Sequence, residues 1–186
     1  MTFVAARGEG ERYIGVVPAP TSCEICGFRW DDVTGDVVGR LVAASESFVT
    51  VLMDAGALAS RRPSPERWSV LEYAGHLRDV LISIRERILL AVVVQCPTGV
   101  AMNREERVAR GLYQHDAVAD VAEELAVLTR LVSKTVSSLR EGDTQRTLVY
   151  SSASPHEVTI AWAIGQVIHE TEHHLGDVRE NLALLA

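Results

Sequence analysis

The sequence predicts an all-α protein, a four-helix bundle preceded by an irregular N-terminal arm. Three observations carry that expectation. Four stretches repeat apolar residues at three-to-four spacing over five or more turns. Capping residues, Pro and Gly punctuate those stretches. Nothing between them alternates for long enough to build a sheet of its own. At 186 residues with 47% hydrophobic and 23% charged residues, the chain can bury one sizeable core and is read as a single bundle domain, 30–186, behind an arm, 1–29.

The arm comes first. Gly8, Gly10, Gly15, Pro18 and Pro20 break any period over residues 1–22, which predicts an extended and partly disordered lead-in. Cys23-Glu24-Ile25-Cys26-Gly27 then forms a C-x-x-C-G half-site without a second C-x-x-C to complete it. Reduced thiols or a local structural feature is the first reading, with metal or redox chemistry as the alternative, and the pair is expected to stand outside the principal metal site; a second, structural site would need two further ligands, from a loop residue such as His115 or His156, from Cys96 or from another subunit.

Helix one is expected from Asp32 to Gly56, on Val37, Leu41, Phe48 and Leu52. After the Arg61-Arg62-Pro63-Ser64-Pro65 connection, Ser69 and Glu72 spell a capping box, with Trp68 and Tyr73 as a hydrophobic staple. Helix two runs from there to about Cys96, stopped by Pro97 and Gly99. Asn103 to Glu106 reads as another capping box, for a short helix ending near Leu112. Asp116 is the expected cap of helix three, which ends by Gly142. Arg146 to Tyr150 looks extended and isolated. Helix four begins either at Ser154-Pro155-His156-Glu157 or one turn later at Thr159.

Helix four holds the clearest chemical signal, His169-Glu170-Thr171-Glu172-His173-His174. His169 and His173 are four apart, so both imidazoles can reach one metal ion from one face of a helix. The letters also spell H-E-x-x-H, followed by Gly176, as in zinc proteases. The third ligand tests that reading. Arg179 occupies the position where one protease class has histidine, and the chain ends at Ala186 before the downstream glutamate of the other. Neither protease plan fits, so a third ligand must come from upstream, among His76, His115, His156, Cys23, Cys26 and Cys96.

Trp68-Ser69-Val70-Leu71-Glu72-Tyr73-Ala74-Gly75-His76 together with His169 to Asp177 resembles the DinB-like or YfiT-like superfamily, over about residues 30–186. That group includes mycothiol-dependent maleylpyruvate isomerases and bacterial thiol S-transferases. The resemblance implies an up-down-down-up bundle whose metal is held by one histidine of helix two and two of helix four, carried over here to His76, His169 and His173. Three neutral nitrogens leave positions open, as in a catalytic site. Imidazole suits several metals, so zinc is the first expectation, with nickel or iron as alternatives. Glu170 and Asp177 are candidates for catalytic or supporting roles, Glu170 as a base and Asp177 as an acceptor on the His173 face.

The implied activity is transfer of a low-molecular-weight thiol to an electrophile at that metal. Seventeen arginines against one lysine, a bias of GC-rich genomes, suggest mycothiol as the thiol. The alternatives are a non-catalytic, stress-associated metal-binding bundle and a metal-dependent hydrolase with Glu170 as base. The isomerases carry a further C-terminal domain with a catalytic arginine, and this sequence stops short of one. A net charge of −7 offers no basic footprint for nucleic acid. No apolar run reaches the ~20 residues needed to span a bilayer, and the start lacks a signal-peptide layout, so a cytoplasmic protein is expected. The resemblance also suggests a homodimer.

Overall fold

The computed structural model describes residues 18–150 and 156–186. The expected disorder over 1–17 and the Ser154-Pro155 helix start lie outside the described residues. Four long helices, α1 (Val37–Asp54), α2 (Val70–Val93), α4 (Val118–Ser137) and α5 (Ile160–Leu185), pack as a bundle, with a short α3 (Arg104–Ala109) in the α2–α4 connection. Helices α1 and α2 each pack on both α4 and α5, which places α1 and α2 on a diagonal.

The helix directions follow from individual contacts. The Asn181 side chain donates to the Trp68 carbonyl at 2.7 Å, so the start of α2 lies beside the end of α5. Arg146 ties the strand before α5 to the Ala91 carbonyl near the end of α2. Helices α2 and α5 are therefore antiparallel. Helix α1 runs parallel to α5, because Trp30 and Val33, just before α1, pack on Gly165 near the start of α5. Arg78 reaches Glu124, early residues of α2 and α4, which run parallel. The topology is up-down-down-up.

The caps explain where most helices begin. The Ser69 side chain accepts from the Glu72 N–H while Glu72 accepts from the Ser69 N–H, a complete capping box at α2. Trp68 and Tyr73 pack at 5.2 Å between ring centroids, as the staple requires. Helix α1 starts five residues later than expected, because Asp36 supplies the cap and Trp30–Asp32 form a separate 3-10 turn. Asn103 sits at φ +50 with no side-chain cap, and Asp116 pairs with Arg78 at 3.0 Å instead of capping α4. Ion pairing won over capping there. Thr159 is the cap of α5, accepting from the Trp162 N–H.

One further difference concerns Arg146 to Tyr150. Strand β1 (Thr147–Tyr150) is not isolated; it pairs antiparallel with β2 (His156–Thr159), Leu148 opposite Val158. Leu148 and Val158 turn into the core, which makes a two-stranded ribbon viable against α2 and α5.

The core is filled by Phe48 and Leu52 of α1, Leu77, Leu81, Ile84 and Ile88 of α2, Leu125 and Val132 of α4, and Ile160, Val167 and Ile168 of α5. Each such side chain contributes about 1.5–3 kcal/mol on burial. The Ser45 and Thr129 hydroxyls, buried between α1 and α4, satisfy each other at 2.7 Å. Among the described residues no helix is long and apolar enough to cross a membrane.

Candidate metal centre

Antiparallel packing sets which residues of α5 meet His76. From the Trp68–Asn181 contact, two turns forward along α2 and two turns back along α5 bring His76 opposite His174. Their rings meet edge to face at 5.1 Å. Glu170, one turn before His174, completes the group. Its Oε2 lies 3.4 Å from His76 Nε2 and 3.1 Å from His174 Nε2. All three residues are buried.

The expected set of His76, His169 and His173 is not brought together. Three groups form in its place among the described residues: His76, Glu170 and His174; Cys23, Cys26, His169 and His173; and, sharing a histidine with each of these, His173, His174 and Asp177. A one-residue step along a helix turns a side chain by ~100°, which sends His169/His173 and Glu170/His174 to different neighbours. Cys23 and Cys26, expected outside the principal metal site, do not join His76, Glu170 and His174, but they lie against His169 and His173. Of the other upstream candidates, His156 lines the pocket described below, whereas His115 and Cys96 join none of these groups.

The electrostatics of the first group suit a cation. Burial strips His76 of solvent and holds its pKa below the ordinary histidine value, so the imidazole is neutral and free to ligate. Burial alone would raise Glu170, yet hydrogen bonds from His174 and His76 hold its carboxyl well below the usual range. Burial would lower His174, but Asp177 and Glu170 override it and raise the imidazole. The second carboxylate oxygen of Glu170 accepts from Gln166 at 2.7 Å, and Gln166 in turn accepts from the Trp30 indole at 3.1 Å. Asp177 Oδ2 lies 2.7 Å from His174 Nδ1, the nitrogen facing away from the group, and 3.7 Å from His173 Nε2.

The donor set fits a metal. Ligands ~2.0–2.2 Å from a zinc-like ion are separated from one another by ~3–3.5 Å, as each of the two imidazole nitrogens is from Glu170 Oε2, and two histidines with one glutamate form a known catalytic zinc set. Glu170 is placed where it could serve as the third donor of this group.

The group lies at the floor of a pocket of about 830 Å³, walled by Trp30, Trp162, Tyr150 and Met102, with His76 and Glu170 reaching its surface. Arg87 stacks its guanidinium on Tyr150 at 4.3 Å and donates to the Val100 carbonyl at 2.7 Å, holding the far wall. Most of the exposed wall is apolar, and Arg87, Arg104, Glu105, Glu106, His156 and His169 add charged and polar groups to the lining.

Around the second group, the Cys23 N–H donates to the Phe28 carbonyl at 2.8 Å and the Gly27 N–H to the Cys23 carbonyl at 2.9 Å. Gly27, at φ +73, lets the chain double back. Burial would raise the Cys23 thiol, but the N–H groups of Cys26 and Ile25 and the Cys26 thiol hold it below its ordinary value.

Sequence reasoning left out His174, Gln166 and the pocket-wall residues Trp30 and Tyr150. A signal for His174 was present. Residues 160, 164, 167, 171, 174, 178 and 181 form a three-four repeat whose other members are apolar or core-facing, and His174 falls on it. Asp79, three residues after His76, accepts from Tyr113 at 2.7 Å and pairs with Arg107.

No curated protein sequence matches the chain. Among solved structures, YfiT from Bacillus subtilis, described as a probable metal-dependent hydrolase with an unusual four-helix bundle topology, superposes with a TM-score of 0.72 at 14% identity, covering 90% of this chain and 92% of that one. The family model described as DinB superfamily matches residues 42–178, most of the bundle and all of the His76, Glu170 and His174 group, and the chain belongs to that superfamily.

Proposed function

We propose that the protein is a metal-dependent enzyme acting on a small molecule in the pocket above His76, Glu170 and His174, and that its reaction joins a low-molecular-weight thiol, such as mycothiol, to an electrophile. The observation that carries the proposal is the convergence of three buried donors from two antiparallel helices at the floor of the pocket. Three protein donors leave coordination positions for a substrate, which a closed structural site does not.

A divalent ion held there would supply positive charge that favours the deprotonated form of a small thiol sharing its open positions. The chain's own residues supply the rest. Asp177 fixes the orientation of His174 by accepting from Nδ1, which turns Nε2 toward the group. Gln166 holds Glu170 in place from the opposite oxygen. Trp30 and Trp162, stacked at 5.5 Å with their planes 4° apart, form one aromatic wall of the pocket. The thiol class itself is supported by the family resemblance.

Metal-dependent hydrolysis is the second reading. It is favoured by the two-histidine, one-glutamate donor set, common to zinc hydrolases, and by the description given to the Bacillus subtilis protein. Zinc-loaded protein assayed with a thiol panel including mycothiol and a set of electrophiles, and in parallel with esters and amides, separates the readings. Metal-dependent thiol consumption, lost in His174→Ala, supports transfer. Metal-dependent ester or amide cleavage without thiol overturns it in favour of hydrolysis, and neither activity leaves a non-catalytic metal-binding bundle.

A further inference from the structure

We propose that Cys23, Cys26, His169 and His173 hold a second ion, a tetrahedral zinc that fastens the N-terminal segment to α5 as a closed structural site beside the open one. The local fold prepares it. The turn at Cys23 to Gly27, closed by backbone hydrogen bonds and by the left-handed Gly27, brings the two sulfurs near each other and against the helix. His169 and His173, one turn apart on α5, present their rings to the same point, 5.1 Å between centroids.

The distances fit. One donor atom from each residue lies within 4.8 Å of all the others, and Cys23 Sγ is 3.8 Å from His173 Nδ1. Zinc–sulfur bonds of ~2.3 Å and zinc–nitrogen bonds of ~2.0–2.1 Å in a tetrahedron separate the donors by ~3.3–3.8 Å, so the group needs to contract only slightly. His169 supplies an independent sign. Both its ring nitrogens are buried without a hydrogen-bond partner, a condition that buried imidazoles ordinarily avoid and that ligation relieves.

The donor chemistry selects the metal and the role. Two thiolates and two imidazoles are the soft and borderline donors that zinc takes in structural sites, and four protein ligands leave no position for a substrate. A Cys23–Cys26 disulfide would use the same sulfurs but would leave His169 without a partner. The ion would also brace the pocket. Phe28 and Trp30, directly after the turn, pack on His169 at 5.1 and 4.8 Å, and Trp30 leads through Gln166 to Glu170.

The test is metal counting and cobalt spectroscopy on the full chain. Wild-type protein saturated with zinc and desalted should hold two equivalents, and Cys23→Ser/Cys26→Ser and His76→Ala should each hold one. The cobalt-loaded wild type and His76→Ala should show sulfur-to-cobalt charge-transfer absorption, and the cysteine variant should lack it. One equivalent that tracks the cysteines supports this site while removing the open one; one that tracks His76 does the reverse. Should the cysteine variant fail to fold, alkylation of the wild type decides, with the labelled positions mapped by mass. Cys23 and Cys26 should be protected in zinc-loaded protein and released by a chelator. Equal labelling of both cysteines with and without zinc, or cobalt-loaded wild type with no charge-transfer band, overturns the proposal.

Discussion

The carboxylate of Asp177 lies 2.7 Å from Nδ1 of His174, on the side of the ring opposite Glu170. One end of this imidazole is thereby committed to an acceptor, and the other is left to face His76 and the metal group. Orienting contacts of this kind set both the tautomer and the basicity of a metal-bound histidine.

Asp177→Asn should therefore weaken metal binding at the His76, Glu170 and His174 group by roughly 10–100-fold while leaving the helices intact. The amide can still accept a hydrogen bond, but it lacks the charge that raises His174. Competition against a chromophoric chelator reads the affinity, and circular dichroism reads the helices. An unchanged affinity would mean that Asp177 serves only as a surface carboxylate.

Gly75, beside His76 in the chain, is packed against Tyr113. A Cβ built there would come within 2.6 Å of Tyr113 Cδ1, and Tyr113 is pinned by its hydrogen bond to Asp79. Alanine gains ~1 kcal/mol of helix propensity, but forcing the ring aside costs about 1–3 kcal/mol, so Gly75→Ala should lower stability. In a Tyr113→Ala background the clash is absent and the same substitution should be stabilising. Denaturant midpoints of the four proteins check this cycle, and a Gly75→Ala effect of the same sign in both backgrounds would contradict it.

The capping box carries a pH signature. Burial would raise the Glu72 carboxyl, but Arg62, with Nε 2.8 Å from Oε2, and the Ser69 N–H hold it below its ordinary value of 4.5. A carboxyl with a depressed folded pKa contributes its stability at higher pH and loses it as pH falls from about that ordinary value through the lower, folded one. Arg62→Ala should thus cost about 2 kcal/mol at neutral pH, from the lost charged hydrogen bonds, and progressively less in acid. Urea unfolding of both proteins across that range reads the gap. A gap that stayed constant down to the acid limit would assign the loss to something other than this pair.

Much of the fold was legible because its signals are local. The Ser69 and Glu72 capping box, the Trp68 and Tyr73 staple and the apolar stripes each lie within a few residues, and all appear in the structure. Asp116 and Asn103 misled because the same residue types that cap a helix can also pair with arginine or take a left-handed turn, and tertiary neighbours decide which. The β1–β2 ribbon was hidden because a four-residue strand has no readable period and its partner overlapped a plausible helix start. At the site, the two overlapping i, i+4 pairs on α5 differ by a single residue. His169 and His173 make the better motif, but the rotation of α5 that buries Val167, Thr171 and Val178 brings Glu170 and His174 to His76. Cys23 and Cys26 were set aside because their contact with α5 spans 150 positions in the chain, a closeness that spacing cannot foretell.

Anomalous diffraction from zinc-loaded crystals would show whether His76, Glu170 and His174 hold a metal. A peak is expected on the pocket floor, bounded by His76 Nε2, His174 Nε2 and a Glu170 carboxylate oxygen. Fully zinc-loaded crystals with no anomalous density among those three side chains would contradict the proposal.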